Sequence, residues 1–574
     1  MPLSPDESLN AEAAARGVAT WYETAGHRRV DIEPDVVRAV MALLEPRTAG
    51  VTPATAPVVL PEVPRTWGWM IQLYGLRSAA SWGVGDFADL AAFSRWAALT
   101  GAGAVLVNPL HAVAPVDPMP SSPYSPSSRR FVNAIYLRIA DLPEYRAAAP
   151  ALRDRVDALR PPTADLIDYD AVWRAKRAAL ELLFSDISDM SGISDIEPAL
   201  RDFATYTALA EVHGVDWRAW PEELRRPGPA AYAAADPARA AFHVWLQRRC
   251  AEQLATANAA AATMAVGIVH DLAVGIDPGG ADAWTLQDVI AQDAKVGAPP
   301  DAFNQQGQDW GLATWRPDRL AATGYEAYRD LLRGIFAHAG GLRVDHVAGL
   351  WRLWWIPPGH GAAGGAYVHY DASAMLGVLI EEAVRAGAVV VGEDLGTVEP
   401  VVTETLQARN ILGSAVLWFT RDDDGRFIPP ARWPANAMAS ISTHDLPTAT
   451  GFLTGEHVTA RAEAGVLTRP VAEERAAAEK DRTALLDLLT AEGLAAPDST
   501  DAEIVVAMHR LLTRTPCRIL LASPYDVLGE PRQPNLPGTM GQYPNWRIPL
   551  PLSLESLTAD PRMLHIAEIL DGTA

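Results

Sequence analysis

Gly341-Leu342-Arg343-Val344-Asp345-His346 reads as a short buried strand that stops abruptly in an acid and a histidine. The same construction recurs along the chain. Before it come Trp69-Met70-Ile71-Gln72-Leu73, Ala104-Val105-Leu106-Val107-Asn108 and Val266-Gly267-Ile268-Val269-His270-Asp271. After it come Val389-Val390-Val391-Gly392-Glu393-Asp394, Ala415-Val416-Leu417-Trp418-Phe419, Met438 to Asp445 and Arg518 to Ser523. Most of the sequence between these runs has helical character. Apolar strands alternating with helices imply a parallel sheet covered on both faces. Eight of them fit a (β/α)8 TIM barrel, whose reactive groups stand at the C-terminal ends of the strands. The endings His270-Asp271, Asp345-His346, Glu393-Asp394 and His444-Asp445 obey that rule. A doubly wound open sheet has the same spacing, because spacing alone does not demand closure.

The fold class read from this pattern is α/β, a TIM barrel with inserted helical subdomains and a short N-terminal helical extension. At 574 residues the chain has room for one barrel with large insertions or for roughly three or four ordinary domains. Residues 1–65 read as a helical segment, with Pro34 starting a helix that carries Val36, Val37, Val40, Leu43 and Leu44, followed by a Pro-rich linker. A short strand is expected in that linker at Val58–Leu60. Residues 66–574 form the barrel, with helical insertions at about 110–265 and 454–508. The uncharged stretch from Gln253 to His270 reads as an Ala-rich helix leading into a strand, not as a membrane span.

Composition narrows the chemistry. Acidic residues number 70 against 48 basic, a net charge of −22, which disfavours nucleic acid and anionic membrane surfaces as partners and suits neutral substrates. Two cysteines, Cys250 and Cys517, build neither a disulfide framework nor a cysteine zinc cluster. No basic segment followed by an apolar run opens the chain, so a cytoplasmic location is expected. The oligomeric state is left open.

Three carboxylates close three of the expected strands: Asp345, Glu393 and Asp445. Retaining cleavage of a glycosidic bond needs a carboxylate nucleophile and a protonated carboxyl about 5–5.5 Å apart. Arg343, two residues before Asp345 on one strand, points to the same side and favours an ionised Asp345. Burial behind Val389–Val391 and the neighbouring Asp394 would favour the protonated form of Glu393 that an acid needs. Strand-end acids also serve as caps of the following helices, and a single one would be read so. His270, His346 and His444, each beside an aspartate, suit either a metal or sugar hydroxyls. Tryptophan is abundant, with 18 residues. Trp82, Trp310, Trp315 and Trp351 are expected at the mouth, where flat rings stack on sugar faces, whereas Trp96, Trp173, Trp245, Trp354 and Trp355 are expected in packing roles. Gly359–Gly365 lacks the lysine and spacing of a phosphate loop and reads as a mobile loop.

The ordered motifs resemble the 4-α-glucanotransferase family, also called amylomaltases or disproportionating enzymes. They are Ser81-Trp82-Gly83-Val84-Gly85-Asp86-Phe87, Ser122-Pro123-Tyr124-Ser125-Pro126, and Pro300-Asp301-Ala302-Phe303-Asn304 with Gly307-Gln308-Asp309-Trp310-Gly311. Arg343-Val344-Asp345-His346, Gly392-Glu393-Asp394-Leu395-Gly396, Ser442-Thr443-His444-Asp445, and Asn535-Leu536-Pro537-Gly538-Thr539 with Tyr543-Pro544-Asn545-Trp546-Arg547 complete the set. The resemblance implies retaining transfer of α-1,4-glucan segments between oligosaccharide donors and acceptors, with no cofactor and no metal. It implies Asp345 as nucleophile, Glu393 as acid/base and Asp445 as transition-state stabiliser. Tyr124, Asp271, Asp301, Gln308, Trp310, Arg343, His346 and His444 would bind substrate. Val347, Ala348 and Gly349, Asn133-Ala134, and Met540-Gly541-Gln542 depart from the family pattern and bear on acceptor and chain length. A hydrolase with the same triad, a glucan-binding protein without activity and a barrel metallohydrolase are the competing readings.

Overall fold

The computed structural model describes residues 5–24, 28–46, 59–187, 196–300, 306–396, 398–422 and 424–572. All eight expected strands are present: β1 (Thr66–Ile71), β2 (Ala104–Val107), β3 (Gly267–Leu272), β4 (Gly341–Val344), β5 (Val389–Gly392), β6 (Gly413–Val416), β7 (Ala437–Ser440) and β8 (Ile519–Ala522). They form one sheet in the order β5-β4-β3-β2-β1-β8-β7-β6. The edges meet: Val391 and Leu412 form a parallel bridge, the Gly392 N–H donates to Leu412 O at 2.7 Å and the Leu412 N–H to Val390 O at 3.0 Å. Closure decides for the barrel over the open sheet.

Side-chain alternation fills the two sides of this wall. Met70, Leu106, Val269, Val391, Met438 and Leu521 pack together inside the barrel. Trp67, Trp69, Ile71, Val105 and Val107 face outward into the large apolar cluster under the helices. His270 alternates with the inward Val269 and Asp271; its ring is buried, and burial together with the neighbouring His338 pulls its pKa down to about 4.

Between β2 and β3 lie several helices, the Ala-rich helix Pro237–Ala260 feeding β3, and a small antiparallel pair, His111–Ala112 with Ser128–Val132. Helices Glu456–Glu463, Val471–Ala491 and Asp501–Thr513 occupy the second insertion. The sequence reading contains no counterpart of a four-stranded antiparallel sheet, ordered Ala366–His369, Arg352–Ile356, Lys295–Ala298, Gln308–Leu312. The N-terminal segment is stitched to its edge, with the Ala19 N–H donating to Tyr367 O and the His369 N–H to Gly17 O, both at 2.8 Å. Helix Pro34–Met41 carries Val37 and Val40 into the same apolar cluster as Leu353 and Trp355.

Four expectations need correction. The sixth strand ends at Val416, because Leu417–Phe419 tighten into a 3-10 turn that stacks Trp418 on Phe452 at 4.0 Å. The seventh ends at Ser440, whose hydroxyl donates to Ser442 O at 2.8 Å and turns the chain before His444. Val59 and Leu60 form no strand, the Leu60 N–H pairing instead with Arg409 O, while Val58 lies outside the described residues. Trp82 and Trp315 are buried packing residues, not part of the mouth.

Candidate active site

The mouth is assembled from four strand ends. Asp271 and Arg343 are register partners on β3 and β4, and Asp345 follows β4 directly. The Arg343 Nη1 donates to both oxygens of Asp271 at 2.8 Å and to Asp345 Oδ1 at 3.0 Å. One buried guanidinium thus spans two aspartates, as alternation along β4 requires. Side-chain exposure rises outward, from 4% at Asp271 to 21% at Asp345 and 45% at Asp445, so the acids line a cleft from floor to rim.

Glu393 follows β5. Its Oε2 accepts the His346 N–H at 2.9 Å and its Oε1 accepts the Leu395 N–H at 2.8 Å, which fixes the carboxyl beside the residue after Asp345. His346 is held at φ 46°, a left-handed conformation that is rare outside glycine and is commonly kept where function needs it. Asp394 turns the other way, its Oδ1 accepting the Ser414 N–H at 2.8 Å. It braces the barrel wall.

On the opposite rim, the turn after β7 presents His444 and Asp445. The Tyr124 hydroxyl donates to Asp271 Oδ2 at 2.7 Å and lies 3.3 Å from His444 Nδ1, with the two rings stacked at 4.7 Å. His444 Nε2 is 3.4 Å from Asp445 Oδ2, and the Asn535 side-chain amide donates to Asp445 Oδ1 at 2.7 Å. Gln533 supports this pair, its amide donating to Asn535 O and to Asp445 O. The Trp546 ring lies 5.3 Å from both Tyr124 and His444 and completes an aromatic wall. Asn535 and Trp546 stand in motifs visible in the sequence, but nothing there says which side chain reaches the acids.

Electrostatics separates the carboxyls. Burial raises the pKa of Asp345, and Glu393 and Asp445 add to the rise, with Arg343 and His444 pulling against it. Burial likewise raises Asp271 despite Arg343. Arg343 therefore moderates the cost of ionising Asp345 without cancelling it. At Asp445 burial is outweighed by His444 and by the Asn535 hydrogen bond, so its pKa is lowered. His444 is raised in return, Asp445 overcoming the effect of burial.

Across the cleft, Trp310 sits on the edge strand Gln308–Leu312 of the second sheet. Its ring meets His346 edge-on at 5.4 Å and 75°, and its indole N–H donates to Gln308 Oε1 at 3.0 Å. Tyr124, Asp271, Gln308, Trp310, Arg343, His346 and His444 thus gather around the three acids; Asp301 lies outside the described residues. Among the described residues no group of three or more His, Cys, Asp or Glu side chains is arranged to hold a metal ion, and no helix is long and apolar enough to cross a membrane.

Two motif glycines and one acid build the support. Gly83 adopts φ +80°, and a Cβ at Gly85 would lie 2.0 Å from Leu73 O. Asp86 caps helix Phe87–Leu99 in a capping box with Asp89, and both carboxylates pair with Arg138. The Ser81–Phe87 motif therefore shapes the turn after β1 and the start of the following helix.

Comparison with known proteins is consistent over nearly the whole chain. Residues 71–554 match a family profile described as 4-alpha-glucanotransferase. A 4-alpha-glucanotransferase of Mycobacterium tuberculosis is 46% identical over 545 residues, covering 88% of this chain and 74% of the relative. One from Haemophilus influenzae is 34% identical over 552 residues, covering 88% and 78%. The crystal structure of amylomaltase from Corynebacterium glutamicum superposes with a TM-score of 0.87 at 30% identity, over 98% of this chain and 99% of that one. Amylomaltase from Streptococcus agalactiae in complex with acarbose shares the fold, with a TM-score of 0.73 at 18% identity over 88% and 98% of the two chains.

Proposed function

The chain belongs to the 4-alpha-glucanotransferase family, and we propose that Asp345 is its nucleophile, Glu393 its acid/base and Asp445 the stabiliser of the transition state. As a 4-alpha-glucanotransferase it moves α-1,4-glucan segments from a donor to an acceptor. The observation that carries the residue roles is the pairing of Asp345 and Glu393 on neighbouring strand ends, tied through the His346 N–H, with Arg343 against Asp345.

In this reading Glu393 protonates the leaving oxygen while Asp345 attacks the anomeric carbon, giving a covalent glycosyl ester and a shortened glucan. The 4-hydroxyl of the acceptor then attacks that carbon, Glu393 takes its proton, and the ester bond to Asp345 breaks. Asp445, held ionised by His444 and Asn535, supports the positive charge that develops on the sugar. Tyr124, Asp271, Arg343, His346 and His444 hold the sugar that becomes attached, and Gln308 and Trp310, with Asp301, hold the neighbouring units. No cofactor or metal enters the scheme. The acidic surface fits work on neutral glucans in the cytoplasm, away from nucleic acid and membranes.

The experiment is chromatography of products from maltotriose in the presence of excess chelator. Glucose together with a ladder of longer oligomers is the expected outcome. Glucose and maltose without a ladder would mean hydrolysis instead, and chelator-sensitive turnover would point to a metal.

A further inference from the structure

A cavity of about 40 Å³ opens behind the nucleophile, lined by Arg129, Thr314, Trp315, Tyr328 and Tyr370 and bordered by Asp345. It has room for more than one water-sized particle but not for a sugar ring. Arg129 is buried on strand Ser128–Val132. Its Nη1 donates to Ala273 O at 3.0 Å and Val274 O at 3.1 Å, and its guanidinium lies 5.1 Å from the centre of the Trp315 ring. Carbonyls and a ring face satisfy N–H groups without neutralising the charge.

The nearby carboxylate, Asp282, is engaged elsewhere. It accepts from the Ser128 hydroxyl at 2.7 Å, from Arg130 Nε at 2.9 Å and from the Arg129 main-chain N–H at 2.8 Å. The Arg129 Nε and the Tyr328 hydroxyl, both buried, have no hydrogen-bond partner in the protein. Burial pulls the Arg129 pKa down to about 10, and the nearby Asp282 offsets only part of that fall. A buried cation and an unpaired donor on one small cavity demand an acceptor, and negative charge is the acceptor that repays both costs.

We propose that this cavity binds a small monovalent inorganic anion of about chloride size, held by the Arg129 Nε–H and the Tyr328 hydroxyl. The cavity borders both Asp345 and His346, so its occupant would sit behind the residues assigned to the sugar and act on their support.

The test uses the full chain, with halide as probe. Crystals grown without chloride and soaked in sodium bromide should show an anomalous bromine peak within hydrogen-bond reach of Arg129 Nε and Tyr328 Oη. In solution, chloride should raise the thermal midpoint above that in gluconate at equal ionic strength, because an ion bound by the native state stabilises it. Tyr328→Phe keeps the ring and removes the donor; it should weaken the halide-dependent shift by about ten-fold in apparent affinity. Arg129→Gln should abolish the shift, and the tyrosine variant decides the matter if that protein does not fold. Refined waters without bromine signal would overturn the proposal. A peak with no anion-specific shift in solution would do so too, as binding at crystal concentration only. Neither readout depends on glucan transfer, so the result stands apart from the assignment of the catalytic acids.

Discussion

Arg343 stands opposite Asp271 in the register of adjacent parallel strands, and its Nη1 lies 2.8 Å from both oxygens of that carboxylate. The same nitrogen reaches Asp345. Asp271 thereby sets where the cation sits, and it also holds the Tyr124 hydroxyl. Asp271→Asn should leave the barrel folded but let both groups drift, lowering kcat/KM for transfer by about 100-fold. Activity within a factor of two or so of the parent would show that Asp271 has no such positioning role.

Removal of the two carboxyls proposed to react should be far more severe. Asp345→Ala and Glu393→Gln are each expected to lower transfer from maltotriose by at least about 10⁴-fold, with unchanged circular dichroism. Near-normal turnover by purified Asp345→Ala would end its assignment as nucleophile.

The raised pKa of Asp345 has two consequences of fixed sign. In its proposed role as nucleophile Asp345 works ionised, so kcat/KM should begin to fall, as pH is lowered, above the ordinary aspartate value of about 3.9. Stability runs the other way: a carboxyl raised in the fold contributes most when protonated, and the contribution is lost as pH rises through the folded pKa. Asp345→Asn, which mimics the protonated form, should therefore melt higher than the parent at neutral pH, with the difference fading in acid. A lower melting temperature at neutral pH would contradict the burial argument.

Strand ends were legible because burial on both faces writes continuous apolar runs, as at Val389–Val391, and because reactive side chains must follow them. The antiparallel sheet is not legible in the sequence because Lys295–Ala298 and Gln308–Leu312 are short and each is broken by a glycine. Trp315 reads like a loop tryptophan in sequence, yet it packs beneath Arg129, a partner 186 positions earlier by subtraction of their numbers. Asp394 adjoins Glu393 in the chain but faces Ser414 across the barrel seam. Alternation puts residues two apart on one side, as for Arg343 and Asp345, and immediate neighbours on opposite sides, as for Glu393 and Asp394.

Asn535 offers a further test, since its amide is the side-chain donor on Asp445 Oδ1 opposite His444. Asn535→Ala should free one oxygen of that carboxylate and lower kcat by roughly 10- to 100-fold, the range expected for a lost hydrogen bond to a charged group. Because Asp445 is held below the usual range partly by this bond, its pKa should rise in the variant and the acid side of the pH profile should move to higher pH. A loss of rate with an unchanged profile would make Asn535 a loop anchor only.

Trp310 bears on the choice between transfer and hydrolysis. Its ring braces His346, whose backbone N–H in turn binds Glu393, and its indole N–H orients Gln308. An acceptor sugar must compete with water for the glycosyl ester, and a flat ring against His346 would both stack on the sugar and keep water out. Trp310→Ala should raise the KM for maltotriose by about ten-fold, in keeping with one lost aromatic contact. It should also raise the share of hydrolysis. Hydrolysis creates a new reducing end at each turnover and transfer creates none, so reducing-end titration beside total glucose release separates the two. Trp310→Phe, which keeps a ring but loses the N–H to Gln308, should retain most of the transfer preference. Equal hydrolysis in the parent and in Trp310→Ala would place the water barrier elsewhere in the cleft.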